Sequence, residues 1–113
     1  MAKKKILVLG GAGFLGSHVV DTLIENNYNV IIYDIKRSKW VNKKCKFYKG
    51  NILNLRKLEI LLKRVDVVYN FAGISDLTDA YKNPIKTINL NILVNAKIIE
   101  LCIKNKINRY IYA

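Results

Sequence analysis

Seven consecutive residues, Gly10-Gly11-Ala12-Gly13-Phe14-Leu15-Gly16, hold four of the six glycines in the chain. They follow an apolar run, Ile6-Leu7-Val8-Leu9, and open a segment with helical spacing. In that setting the chemistry is specific. A tight turn needs residues without Cβ, a pyrophosphate must approach the backbone closely, and a helix N-terminus offers free N–H groups with partial positive charge. Gly16 would let the helix lie close against the strand. Two spacings fit, Gly11-x-Gly13-x-x-Gly16 and Gly10-x-x-Gly13-x-x-Gly16, and glycines alone do not choose between them. Asp34 supplies the second element, 18 residues after Gly16 at the end of the next apolar run. A carboxylate there accepts hydrogen bonds from both hydroxyls of an adenosine ribose and repels a 2′-phosphate. Strand, glycine turn, helix, strand and acid in this order point to dinucleotide binding, with NAD as cofactor. Lys36 and Arg37 leave some room for NADP.

Other chemistries find little support. Cys45 and Cys102 stand 57 residues apart and the one histidine is His18, so no metal site or redox pair is expected. All three read as packing residues. A formal net charge of +12 invites nucleic acid as a partner. Yet Lys, Asn, Ile, Tyr and Phe, all with AT-rich codons, make up 55 of the 113 residues, so coding bias accounts for many solvated lysines. The one concentration, residues 36–49, carries seven cations but only Trp40, Phe47 and Tyr48 as aromatics, with no stacking motif. We expect no nucleic-acid partner. No apolar run approaches the ~18 residues of a membrane span. The basic start, Met1-Ala2-Lys3-Lys4-Lys5, runs on into glycines rather than a signal cleavage site. A cytoplasmic protein without a membrane partner is the expectation.

Such residues need a scaffold, and the remaining sequence describes one. At 113 residues and 51% hydrophobic, the chain suffices for one domain with a real core. Ile6–Leu9 and Val30-Ile31-Ile32-Tyr33 are continuous apolar runs, as strands buried on both faces should be. Between them, residues 14–26 place Leu15, Val19, Leu23 and Ile24 on one helical stripe, and Asn26-Asn27 can end that helix in left-handed backbone. Residues 45–49 alternate in part, with Lys46 and Lys49 suited to an edge strand. Asn54 can cap a helix carrying Leu55, Leu58, Leu61 and Leu62. A fourth strand lies within residues 65–72, and a fifth begins at Arg109. Asn83-Pro84 reads as a helix start, a capping side chain followed by Pro at the first helical position, and the helix runs to about Lys104. Alternating strands and helices imply parallel pairing with helices on both faces. The expected fold is α/β, a Rossmann-type doubly wound parallel sheet in the order 3-2-1-4-5, with the chain ending in or after the fifth strand.

Three further segments, Lys49-Gly50-Asn51-Ile52, Asn70-Phe71-Ala72-Gly73 and Asn91-Ile92-Leu93-Val94-Asn95, follow the glycine turn in a familiar order. With them the chain resembles the N-terminal, cofactor-binding part of the extended short-chain dehydrogenase/reductases, specifically the NAD-dependent sugar-nucleotide epimerases and dehydratases. The resemblance covers essentially all 113 residues. It implies that Gly10, Gly13 and Gly16 are the glycine triplet, that Phe14 and Leu15 are its aromatic–aliphatic pair, and that Asp34 is the ribose-binding acid. Asn51 stands where the family usually has Asp beside the adenine amino group, followed by Ile52. Phe71, Ala72 and Gly73 match the segment lining the middle of the cofactor, with Asn70 in place of the usual His. Asn91 matches a helix Asn, while Val94 and Asn95 replace a common Gly and Thr. Residues 109–113 look like the strand that leads into the family's catalytic Ser/Thr.

In that family a Tyr phenolate is the base, and a Lys four residues later lowers its pKa. None of the seven tyrosines here is followed by such a Lys within the chain; Tyr33 reaches Arg37, in the adenosine region. The resemblance therefore implies that residues 1–113 form the NAD-binding domain of an enzyme acting on a nucleotide sugar, inactive alone. The catalytic and substrate-binding half is expected beyond residue 113. A stand-alone dinucleotide-binding regulatory or sensory module is the alternative, and a Tyr-x-x-x-Lys among the residues encoded next would discriminate. The long helix offers two apolar stripes. Ile85, Ile88, Ile92, Ala96, Ile99 and Ile103 are expected on the sheet, leaving Leu90, Leu93, Val94, Ile98 and Leu101 for another partner. A neighbouring helix of the same subunit, following the fifth strand, is one such partner; by resemblance the other is a second copy, giving a homodimer through the 84–104 helix.

Overall fold

The computed structural model describes residues 3–73 and 77–113. Its strands are β1 (Lys5–Leu9), β2 (Asn29–Asp34), β3 (Lys46–Lys49), β4 (Val67–Asn70) and β5 (Arg109–Tyr112). Helices α1 (Phe14–Glu25), α2 (Leu55–Leu62), α3 (Leu77–Lys82), α4 (Pro84–Ile88) and α5 (Val94–Lys104) connect them, with a π-helical segment, Asn89–Leu93, joining α4 to α5. All pairs are parallel and the order is β3-β2-β1-β4-β5, the expected Rossmann-type topology.

Alternation along the strands divides the core. Ile6 and Val8 of β1, with Val30 and Ile32 of β2, join Val20 and Leu23 of α1 on one face. Leu7 and Leu9, with Tyr33 and Val68, join Leu58, Leu61 and Leu62 of α2 and Val94, Ile98 and Cys102 of α5 on the other. Central strands covered on both faces must be apolar throughout, which is why Ile6–Leu9 reads as an unbroken run. Asn54 caps α2 as its sequence suggests, its side-chain oxygen accepting the Lys57 N–H at 3.1 Å. Asn27 turns the chain out of α1 with φ 65°. On the edge strand β3, Lys46 and Lys49 are exposed while Phe47 and Tyr48 are half-buried.

Four expectations require correction. The α1 stripe is displaced by one position: Leu15 is exposed, and the helix docks through Gly16, Ser17, Val20 and Leu23. Close approach through the smallest residue carries no hydrophobic signal, so periodicity misses it. Asn83 sits at the N-cap of α4, but its side chain makes no capping bond; its carbonyl starts the helix by accepting the Thr87 N–H at 3.0 Å. The long helix is not uniform, because the π-helical segment interrupts it. Finally, its two apolar stripes are exchanged. Val94, Ile98 and Cys102 pack on the sheet with Leu90 and Leu101 beside them, whereas Ile85, Ile88, Ile92, Ile99 and Ile103 are exposed. Leu93, assigned to the same stripe as Val94, is exposed instead. Spacings of three and four fit either stripe equally well, so the period alone cannot orient such a helix.

Candidate functional site

A cleft of about 570 Å³ opens where the glycine turn leaves β1, between the C-terminal ends of β2 and β4. That is the position at which open parallel sheets admit ligands. Gly10 leaves β1 with φ +75°, and a Cβ on it would stand 2.7 Å from the Ala72 nitrogen. The Phe71–Ala72 backbone therefore runs directly beside the turn, fastened by the Phe71 N–H to the Leu9 carbonyl at 2.8 Å. Gly16 is equally constrained. A Cβ there would collide with the Gly10 carbonyl oxygen and lie 3.0 Å from Gly11 Cα.

Gly13 behaves differently. An added Cβ would meet only the Gly10 oxygen, at an ordinary 3.5 Å, so the fold itself has room for it. The space it leaves open belongs to the cleft, which Gly13 lines. No side chain caps α1, and its first internal bond runs from the Ser17 N–H to the Gly13 carbonyl at 2.9 Å. The Phe14, Leu15 and Gly16 N–H groups thus have no partner within the helix. An open glycine in front of such a helix end is a cradle for an anion approaching the backbone.

Asp34 ends β2 beside this cradle. Its Oδ2 accepts the Ala12 N–H at 3.0 Å and its Oδ1 the Ile35 N–H at 2.7 Å, which fixes the carboxylate at the cleft's edge. Ser38 braces the same turn by donating to the Ala12 carbonyl at 2.6 Å. Lys36 and Arg37 line a shallower recess shared with Asp34, and Arg37 lies over the Phe47 ring at 5.4 Å. Beyond Asp34 the cleft is walled by Ile35, Gly50, Asn51, Ile52 and Leu53. Ile35 and Leu53 are exposed apolar residues, a slot suited to a flat base. Asn51 is held on both sides: its Oδ1 accepts the Leu53 N–H and its carbonyl accepts the Tyr33 hydroxyl at 2.7 Å.

At the other end stand Phe71, Ala72 and Gly73. A buried polar knot supports them. Asn70 Oδ1 accepts the Ala72 N–H at 2.9 Å while its Nδ2 donates to the Tyr110 hydroxyl at 2.8 Å, and Tyr110 also donates to Asn95. Burial pushes the Tyr110 hydroxyl up to about 12 and raises Tyr33 as well. Both phenols are therefore shifted away from the lowered pKa that a phenolate base needs.

Of the residues read from the sequence, the cleft gathers Gly10, Gly13, Asp34, Asn51, Ile52, Phe71, Ala72 and Gly73. Phe14, Leu15 and Gly16 are not among the residues lining the cleft: the Phe14 ring packs edge-on against His18 and Trp40, Leu15 is exposed, and Gly16 is buried. Asn91 lies behind Gly73 and accepts the Tyr112 hydroxyl on its carbonyl at 3.0 Å. Missed were Tyr33, Ile35, Gly50 and Leu53, and a wall comprising Asn83 at the N-cap of α4, Lys86 of α4, and Asn89 and Leu90 of the π-helical segment. Their signal was available, since 83, 86 and 89 repeat at a helical spacing of three. Among the described residues there is no cluster able to hold a metal ion, and no helix is long and apolar enough to cross a membrane.

Known proteins match this chain over most of its length. The family model for NAD dependent epimerases/dehydratases matches residues 6–113. UDP-glucose 4-epimerase of Yersinia enterocolitica is 32% identical over 88% of this chain and 34% of its own length. The dTDP-D-glucose 4,6-dehydratase of Dictyostelium discoideum is 34% identical over 96% of this chain and 28% of its own. The crystal structure of Thermotoga maritima UDP-glucose 4-epimerase with UDP-glucose superimposes with a TM-score of 0.89, at 33% identity, over 96% of this chain and 37% of that one. The chain thus spans about a third of the length of these relatives. Matched by that family model over residues 6–113 and more than 30% identical to both of these relatives, the chain belongs to the NAD-dependent epimerase/dehydratase family.

Proposed function

We propose that this chain is the NAD-binding domain of a nucleotide-sugar epimerase or dehydratase. One observation carries the reading: Gly13 leaves space that the fold does not need, in front of free helix N–H groups and next to a fixed carboxylate. The pyrophosphate of NAD would lie on the N–H groups of α1, and the adenosine ribose would donate both hydroxyls to Asp34. Adenine would enter the slot of Ile35, Ile52 and Leu53. Because Leu53 occupies the Asn51 oxygen, Asn51 would offer adenine an N–H donor, unlike the family's Asp. Bound NAD supplies a reversible hydride acceptor; the residues of this chain hold it and orient it. Among the described residues no group is placed as the proton-transferring base, and burial shifts Tyr33 and Tyr110 the wrong way. The chain alone is therefore expected to turn over no nucleotide sugar.

Asp34 should set the choice of cofactor. Repulsion between its carboxylate and a 2′-phosphate at contact distance is worth more than a tenfold preference, even at an effective dielectric of about 20. Titration with NAD and NADP should show NAD binding more than about tenfold tighter. In Asp34→Ala the ratio should collapse, with Lys36 and Arg37 free to favour NADP. Equal affinities in the wild type, or an unchanged ratio in the variant, would refute the assignment.

The homodimer belongs on the face of α4 and α5 turned from the sheet. Ile85, Ile88, Ile92, Leu93, Ile99 and Ile103 present an apolar surface there, of the kind that a second copy covers. Leu93→Glu should shift sedimentation from dimer to monomer at tens of micromolar without unfolding the chain. A wild-type chain that sediments as a monomer over that range contradicts the proposal.

A further inference from the structure

The glycine turn leaves a charge deficit. A pyrophosphate bridge carries two negative charges, whereas a helix N-terminus offers the equivalent of about half a positive one. Residues 10–16 contain no cation, and the first turn of α1 carries no charged side chain. The cleft nevertheless has a second wall, formed by Asn83, Lys86 and Asn89 of α4 and the π-helical segment. Lys86 and Asn89, three apart, share one helical face with Asn83 at the N-cap before them, and every one of the three can donate hydrogen bonds. The stripe runs from exposed Asn83 and Lys86 to half-buried Asn89, at the start of the π-helical segment. Such segments inside helices recur at functional sites.

Charge singles out Lys86. Among the described residues that line the cleft it is the one cation and Asp34 the one anion, and Asp34 belongs to the ribose end. Lys86 forms no ion pair with an acid among the described residues, where the recorded bridge joins Lys104 to Glu59. The Asn83 side chain is likewise not spent on capping α4. We propose that Lys86, with Asn89 beside it, is the second half of the phosphate seat, reaching the cofactor's pyrophosphate from the α4 wall of the cleft. This rests on the cleft being the dinucleotide site, and it assigns the charge that the glycine turn lacks. A lysine acts here as a point charge on a flexible stem, suited to reach phosphate oxygens across an open cleft.

The test compares wild type, Lys86→Gln, Lys86→Arg and, as a charge control, Lys82→Gln in the full chain. Amide chemical shifts follow titrations with NAD, ADP and adenosine. Loss of one charge-assisted phosphate contact should weaken NAD and ADP about tenfold in Lys86→Gln. Adenosine binding should be unchanged, Lys86→Arg should recover most of the loss, and Lys82→Gln should match wild type. ADP binding to Lys86→Gln at wild-type affinity overturns the proposal, as does a parallel loss for adenosine, which would make Lys86 merely structural. A wild-type chain that binds no NAD at all removes the cofactor reading itself, a result independent of Lys86.

Discussion

Gly13→Ala should abolish most NAD binding and leave the fold intact, whereas Gly16→Ala should damage both. The two glycines lie three residues apart in one motif, yet their surroundings differ. At Gly13 a methyl group would meet a single protein atom at 3.5 Å, so thermal stability should match wild type. The methyl would instead fill the space through which a pyrophosphate reaches the α1 N–H groups. At Gly16 the methyl would strike the Gly10 carbonyl and approach Gly11 Cα to 3.0 Å, and neither is the movable end of a side chain. Overpacking costs about 1–3 kcal/mol, and a backbone clash belongs at the upper end. A clash of that size against the bound pyrophosphate in Gly13→Ala corresponds, at about 1.4 kcal/mol per factor of ten, to about a hundredfold weaker NAD affinity, while against the fold in Gly16→Ala it lowers Tm by about 10 °C. Calorimetry and thermal melts of both variants check the pair. Gly13→Ala binding NAD like wild type would remove the ligand's claim on that space.

Ile98→Glu should unfold the chain. Ile98 is fully buried among Val94, Cys102 and the β1–β4 face of the sheet. A carboxylate at that site loses its hydration without a partner, costing about 4 kcal/mol or more, against the 5–15 kcal/mol that ordinary domains have in hand. Circular dichroism should show loss of cooperative melting at neutral pH. Ile99→Glu, one position round the helix on the exposed side, should keep a cooperative melt. If the two variants melt alike, the orientation of α5 is wrong.

That pair of neighbours also marks where sequence reading succeeds and where it stops. Strands β1, β2 and β4, the capped helix α2 and the sheet order were legible because each depends on a local pattern with one physical solution. Apolar runs bounded by glycines must be buried strands, and Asn54 before a leucine stripe has a capping bond to make. The turn at Gly10–Gly16 and the acid at Asp34 were legible for the same reason. The orientation of the helix following Asn83 was not, because it is apolar on two sides and hydropathy is equal for both. Position decided it: the Val94–Ile98–Cys102 side faces Leu7, Leu9 and Val68, while the longer isoleucine stripe is left exposed. The docking face of α1 was hidden by Gly16, whose contribution is the absence of a side chain. Asn83, Lys86 and Asn89 escaped notice because a stripe of polar residues on a helix ordinarily faces solvent, and only the fold turns this one towards a cleft.

The most direct test is to map NAD onto the chain by amide chemical shifts. The account expects saturable one-to-one binding. Perturbations should concentrate at Gly10–Gly16, at Asp34 and Ile35, at Asn51–Leu53 and at Phe71–Gly73, with the Phe14, Leu15 and Gly16 amides moving most. No saturable shift at millimolar NAD, or shifts centred on residues outside this cleft, would contradict it.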